Sequence, residues 1–561
     1  MADSTDSVNI RQLCLRLKPM LGSKMDKVYE AYMAEDETGK AQIENYLQQL
    51  TAKYLPTKLS ESSTPLLPPS KEQAAGEYFL GKVQYAGKDL CDFGLREDEW
   101  IQHMAILGRS GAGKTNIGFL VLKGLKQKNK PFLVFDWKRN YRDLVSLPEF
   151  KDIEVYTVGR NIAPFTFNPL IPPASTNPKT WLKKLNEVIA HAYCLGNGVL
   201  FLLQQAVDAV YEEAGVYDGT VEKWPTFKDV LIKARGMDAR GREAGWLSST
   251  LRALATLCFG DMDTLLNTNN NKSIDHILDK NVILELDALT QSDKTFFVQA
   301  CMLYLHHKRM AEERREDFKH AIIIEEAHHV LSDERRSLVG GQSVMDIIFR
   351  EIREFGVSLI LLDQHPSKIS LYALGNTYCT ICMNLKTRTD INAVAQCLLL
   401  DKEKDILGSL EVGQAVVKLQ GRIAHPFQVS IPEFIIEKGR ITDTYVKKHM
   451  QDIAPVIAEQ DFRLPASTDG DSTMSKKADL AKNLEMAFLR DIKECPDSGI
   501  AARYKRLSLS VRQGQKLKAQ ALQQSLIQET IEITKTGRIA AVTLTDKGMV
   551  IVSGSQRREL G

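Results

Sequence analysis

The chain lacks any long apolar run: none of its apolar stretches approaches the roughly 18 residues that a membrane-crossing helix needs, so no spanning segment is expected. It also lacks an excess of charge of one sign. Lys and Arg number 73 against 71 Asp and Glu, a formal net charge of +2. Global charge therefore says nothing about nucleic acid, and any basic surface has to be local. Cysteine is sparse, with nine scattered residues. From the odd count and the polar, acidic start, Met-Ala-Asp-Ser-Thr-Asp, neither a disulfide framework nor a secretory leader is expected. They point to reduced thiols and a cytoplasmic location. Cys379-Thr-Ile-Cys382 is a lone pair in a strand-like run, without the second pair of a zinc site. His306-His307 and His328-His329 lack ligand spacing and are read as non-metal. No fixed-period repeat is visible.

What is present is a phosphate-binding loop. Gly108-Arg109-Ser110-Gly111-Ala112-Gly113-Lys114-Thr115 fits Gly-x-x-x-x-Gly-Lys-[Ser/Thr]. The apolar run His103–Leu107 reads as a buried strand leading in, and Asn116 opens a helical stretch leading out. The glycines let backbone N–H groups face phosphate oxygens, and the helix N-terminus adds partial positive charge. Residues 108–116 are the candidate nucleotide-binding set. Lys114 would reach the β- and γ-phosphates of ATP, and the Thr115 hydroxyl would bind Mg²⁺.

A second anchor is Lys319-His-Ala-Ile-Ile-Ile-Glu325-Glu326-Ala-His328, an apolar β-branched run ending in two carboxylates. A buried strand would deliver them to its C-terminal edge, where open α/β sheets bind ligands. By position Glu325 is the metal-side acid, and Glu326 the base that orients and deprotonates the attacking water. A third strand, Val357–Asp363, leads to Gln364, placed to sense the γ-phosphate or position water. The strand Lys130–Asp136 ends in another acid, which reads equally as a site residue or a cap.

These elements resemble the HerA/FtsK group of RecA-like motor ATPases, HerA most closely. The signature runs Ile106-Leu-Gly-Arg-Ser-Gly-Ala-Gly-Lys-Thr115, Phe135-Asp136, Ile322-Ile-Ile-Glu-Glu-Ala-His328, Arg350-Glu-Ile-Arg353-Glu-Phe-Gly356 and Leu362-Asp-Gln-His-Pro-Ser367. Asn376-Thr377 and Leu410-Glu-Val-Gly413-Gln-Ala415 complete it, so that it covers roughly residues 76–435. The resemblance implies a homo-oligomeric ring, a hexamer, with ATP between subunits and double-stranded DNA through the centre. It implies an arginine finger from the neighbouring subunit, at Arg353 or its near alternative Arg350. It also implies a nuclease or other effector as partner, in DNA end processing or phage defence; no nuclease motif occurs in this chain. Glu325 departs from a common Asp, His365 from a common Arg, Arg139 from a glutamate, and Asn384 from an expected Arg. Conjugative coupling ATPases of this group carry membrane helices, which are not found here.

The fold class expected is α/β: a RecA-like P-loop core over 101–435, with a helical insertion over about 140–280. Before it come an N-terminal helical module (1–58), read as helices Val8–Leu21 and Met25–Tyr54, a Ser/Pro-rich linker (59–75), and a short reduced barrel-like β segment (76–100). After it come a linker (436–477) and a winged-helix-like domain (478–561). In that last domain Arg503, Lys505, Arg506, Arg512, Lys516, Lys518, Lys535 and Arg538 face only Glu529 and Glu532. That local excess suits phosphate contact, with Val511–Gln524 as the groove helix. The function expected is an ATP-hydrolysing, DNA-translocating or DNA-remodelling ring. The rival reading is a nucleotide-gated scaffold that organises an effector with little translocation.

Overall fold

The computed structural model describes residues 10–55, 66–332 except 313, 314 and 316, 343–455 except 402, and 484–556 except 508, 510, 535 and 536. The chain divides into two compact units, Met1–Ile457 and Ala458–Gly561.

The first unit is built on an eleven-stranded sheet: β1 (Tyr78–Tyr85), β2 (Lys88–Leu95), β3 (His103–Leu107), β4 (Phe132–Asp136), β5 (Glu154–Thr157), β6 (Asn281–Glu285), β7 (His320–Glu325), β8 (Val357–Asp363), β9 (Thr377–Cys382), β10 (Gln414–Leu419) and β11 (Phe427–Ser430). Their order is β2-β1-β11-β10-β9-β3-β8-β7-β4-β6-β5. From β9 to β5 neighbours run parallel. From β9 back to β2 they run antiparallel. The parallel strands are apolar on both faces because helices cover both. β3, β4, β7 and β8 are buried throughout.

Several elements differ from the sequence expectation. The β segment at 76–100 extends the core sheet, since β1 pairs with β11 across Lys82–Ser430, Val83–Val429 and Gln84–Gln428. The helical insertion contains a core strand, β5, hidden because four residues are too short for periodicity to register. Its helices begin only at Pro178 and run to His276. The N-terminal module has three helices, Ile10–Leu21, Lys24–Ala34 and Glu37–Tyr54. The break comes at Asp36, whose side chain accepts from Gly39 N–H and caps the third helix. The three pack around Leu17 and Leu47 and against Tyr85, whose hydroxyl donates to Arg16 O at 2.7 Å. Cys379 and Cys382 are both buried in β9. Three positions apart on a strand, they point to opposite faces and cannot share one metal. No helix among the described residues is long and apolar enough to cross a membrane.

The core does not stop after β11. Residues 431–450, most of them expected as linker, form a strap fastened to the sheet's edge. Asn116 holds it first, donating to Pro432 O at 2.8 Å and accepting from Phe434 N–H at 2.7 Å. Asp143 next accepts from Gly439 and Ile441 N–H. Asp443 then binds Arg139, Arg142 and Arg160. Two of these arginines, Arg142 and Arg160, also hold the fully buried Glu285. Last, Met450 Sδ accepts the Val155 N–H on the outer strand β5.

The second unit carries a helix within 484–494, the helices Ile500–Arg506 and Val511–Gln523, the hairpin β12 (Ile527–Thr534) and β13 (Gly537–Leu544), and a closing helix, Asp546–Gln556. That last helix was absent from the expectation. Of the domain expected over 478–561, residues 478–483 and 557–561 lie outside the described residues, as do residues 456–477 of the expected linker and two residues of the hairpin turn.

Candidate active site

β3 delivers the chain into the phosphate loop at the C-terminal edge of the sheet, and the helix Lys114–Gln127 leads away. Gly113 has φ 113°, and a Cβ there would meet Met383 Cε at 2.8 Å, so glycine alone fits. The Lys114 ammonium folds back over the loop, donating to Gly108 O at 2.7 Å and Arg109 O at 3.1 Å. Burial lowers its pKa, while the nearby carboxylates Glu326, Asp363 and Glu325 pull it upward. Thr115 is half-buried in the first helical turn, Ala112 is buried, and Ser110 and Gly111 are exposed. Arg109 is tied to Asn384 by its own N–H (2.7 Å to the carbonyl) and by Nε (2.8 Å to Oδ1). Asn384 in turn donates to Gly408 O and Leu410 O. Near the position where the resemblance calls for arginine, it fastens the loop to the segment around Gly408 and Leu410. The Asn116 side chain is committed to the strap, which leaves only its backbone for a nucleotide.

β7 ends on Glu325, which is buried, with Oε2 accepting from Trp137 N–H at 3.2 Å and Oε1 from Asn140 Nδ2 at 3.5 Å. Beside it lies Asp136, fully buried, which accepts the N–H groups of Lys138, Asn140 and Tyr141. Asp136 is therefore the cap of the turn after β4. Burial raises the proton affinity of both carboxyls; repulsion from Asp136 and Glu326 raises that of Glu325 further, and repulsion from Glu285 that of Asp136. An oxygen-rich, charge-deficient pocket of this kind fits a hard dication such as Mg²⁺.

Glu326 follows in the left-handed region, φ 49° and ψ 46°. A non-glycine residue there costs on the order of 1–3 kcal/mol, a strain typical of functional turns. The turn swings the Glu326 side chain onto Gln364, whose Nε2 lies 2.9 and 3.0 Å from the two carboxylate oxygens. Lys138 Nζ lies 2.5 Å from Oε1. The structure thus brings Lys114, Glu325, Glu326 and Gln364 to one edge, as the sequence pattern predicts.

Three further residues belong to this edge. Lys138 holds Glu326. Asp363, fully buried, accepts from the His328 N–H (2.7 Å), from His328 Nδ1 (2.8 Å) and from the His365 N–H (2.6 Å). Donor atoms of Glu326, His328 and Asp363 lie within 4.8 Å of one another. The His328–Asp363 contact already occupies two of them, and its bonds lock the turns that carry Glu326 and Gln364. The signal for Asp363 was visible in the sequence: β4, β7 and β8 all end in an acid.

Arg350 and Arg353 are exposed and precede β8, whereas Gln364 follows it. A strand of seven residues spans about 23 Å. Neither arginine can therefore reach its own chain's phosphate loop. Arg350 also lies 3.7 Å from Glu351.

In the second unit the structure turns Arg503 inward: it is 1% exposed and bonded to Asp491 and to Pro496 O. Arg506 also binds Asp491, and Lys518 binds Glu529 at 2.6 Å. Lys516 is exposed. Lys535 lies outside the described residues, as do the side chains of Arg512 and Arg538. Counting basic residues along the sequence therefore overstated the surface charge, and Arg503 is a structural residue.

Residues 78–302 match the family described as "Helicase HerA, central domain". That match includes the phosphate loop and Asp136 and ends before the paired glutamates, whose placement rests on the geometry above. The DNA double-strand break repair helicase HerA of Sulfolobus acidocaldarius is 22% identical over 358 residues, 61% of this chain and 67% of that protein. "Probable helicase MJ1565" of Methanocaldococcus jannaschii is 23% identical over 325 residues, 56% of this chain and 60% of that protein. This chain thus spans about three fifths to two thirds of the curated HerA-like relatives it matches. Among solved structures, VirB4 of Thermoanaerobacter pseudethanolicus superposes with a TM-score of 0.51 at 16% identity, over 64% of this chain and 97% of that one. At that identity the likeness speaks for the fold alone: α/β, built on a mainly parallel sheet.

Proposed function

We propose that the chain is an ATPase of the HerA type that couples hydrolysis to movement or remodelling of double-stranded DNA, acting as a ring with an effector such as a nuclease. The observation that carries this reading is the convergence of Lys114, Glu325, Glu326 and Gln364 on one sheet edge beside a glycine-closed phosphate loop. In hydrolysis, a water held by Glu326 and Gln364 attacks the γ-phosphorus. Its proton passes to the Glu326 carboxylate, and the bond to the bridging oxygen breaks to leave ADP. Lys114 and the loop N–H groups hold the phosphates. Thr115 and Glu325 would hold Mg²⁺, which when bound neutralises phosphate charge. Stimulation of ATP turnover by duplex DNA, together with strand displacement, tests the reading. Turnover or binding without displacement would favour the nucleotide-gated scaffold, which the closed contacts around Glu326 also suit.

The distance of Arg353 from its own loop supports a finger offered to the next subunit. Arg353→Ala chains are expected to assemble and bind ATP but not hydrolyse it. Mixing them with Glu326→Gln chains should restore turnover at interfaces that pair an intact Glu326 with an intact Arg353. Normal hydrolysis by Arg353→Ala alongside failure of Arg350→Ala would make Arg350 the finger.

A winged-helix-like second unit would add salt-sensitive, sequence-tolerant DNA affinity. Lys516→Ala is expected to flatten the slope of log affinity against log salt by about 0.9, one phosphate contact, at unchanged melting temperature. Arg503→Ala should instead destabilise the unit by about 1–3 kcal/mol, because it empties a buried site and leaves Asp491 with Arg506 as its arginine partner. Equal effects of the two substitutions on the salt slope would contradict this division.

A further inference from the structure

Glu326 is the base in the reading above, yet one of its oxygens is saturated. Oε1 receives both Lys138 Nζ at 2.5 Å and Gln364 Nε2 at 2.9 Å. Gln364 is needed beside the water, so Lys138 is the contact left to explain. The Lys138 side chain is 54% exposed and that of Glu326 11%, which makes the lysine the partner able to move. Its backbone is pinned, the N–H donating to Asp136 Oδ1 at 3.1 Å, so the ammonium swings on a fixed pivot at the end of β4. Lys114, the phosphate-loop lysine, senses both Glu326 and Lys138 electrostatically. The space in front of the loop is therefore bordered by two ammonium groups and one carboxylate.

We propose that Lys138 is a positioning residue that latches Glu326. Without nucleotide, or with ADP, its ammonium stays on Oε1 and keeps that oxygen from water. The γ-phosphate of ATP carries more negative charge than one carboxylate and draws the ammonium across. Oε1 then opens as the substrate arrives. The lysine also screens Glu326 from the incoming phosphate, so it favours ATP over ADP on two counts. A compact ammonium on a flexible stem suits such a transfer, and no bond is made or broken in it. This rests on the ATPase reading and names the group that senses the γ-phosphate in cis.

The test uses the full chain with Lys138→Met, which keeps length and removes charge, and Lys138→Arg, which keeps charge. ADP and a non-hydrolysable imido analogue of ATP are titrated calorimetrically, and steady-state ATP turnover is measured. Lys138→Met is expected to bind ADP within about twofold of wild type and the analogue about tenfold more weakly, the scale of one charged contact. KM should rise by a similar factor with kcat within about threefold, since the base remains. Lys138→Arg should recover most of the analogue affinity. The latch is overturned if Lys138→Met keeps the wild-type ratio of analogue to ADP affinity. It is also overturned if both affinities fall together without rescue by arginine, or if kcat collapses with KM unchanged. A wild-type chain that binds neither nucleotide would remove the ATPase reading itself, a result distinct from all of these, and the latch with it.

Discussion

Lys114→Ala is expected to abolish measurable ATP binding. Lys114 is the loop's own point charge, already poised over the carbonyls of Gly108 and Arg109 that frame the phosphate position. Charged hydrogen bonds contribute roughly 1.5–3 kcal/mol each. Losing contacts to two phosphates should weaken binding by about two to four orders of magnitude. The fold should survive, because the loop keeps its glycine geometry and its ties to Asn384. Calorimetric titration with a melting curve as control checks this, and unchanged ATP affinity in a folded variant would sink the phosphate-loop assignment.

Glu326→Gln should give the opposite split: ATP bound, hydrolysis nearly absent. The amide occupies the same volume, and its oxygen can still accept from Gln364 and Lys138, so the strained turn stays in place. What is lost is the proton acceptor, and removal of a general base costs about 10²–10⁴-fold in turnover. Near-normal turnover by the variant would move the role to Glu325 or elsewhere.

Much of this was legible in the sequence, for physical reasons that differ by element. β3, β7 and β8 were readable because parallel strands covered on both faces must be apolar throughout; β7 and β8 end at a conspicuous acid, and β3 runs directly into the phosphate loop. The phosphate loop was readable because its backbone demands glycine at a fixed spacing. β5 was not, since four residues leave no period. Lys138 was missed because its role depends on a neighbour 188 residues distant in the chain, whereas Asp363 was passed over although it ends an apolar strand as Asp136 and Glu325 do. Arg503 misled because sequence shows a charge but not which way it points. The strap was taken for linker because its anchors, single polar contacts and widely spaced buried residues such as Ile441, Val446 and Met450, form no continuous periodic run.

That strap also sets a path for force. Traction applied at residue 455 meets Met450 first, then Asp443 in its cluster of arginines, then the two N–H bonds on Asp143, and Asn116 last. These anchors are peeled one after another, so each must yield before the next feels the pull. The helix that bears the phosphate loop is the most sheltered point on the line, while the edge strand β5 bears the load from the start.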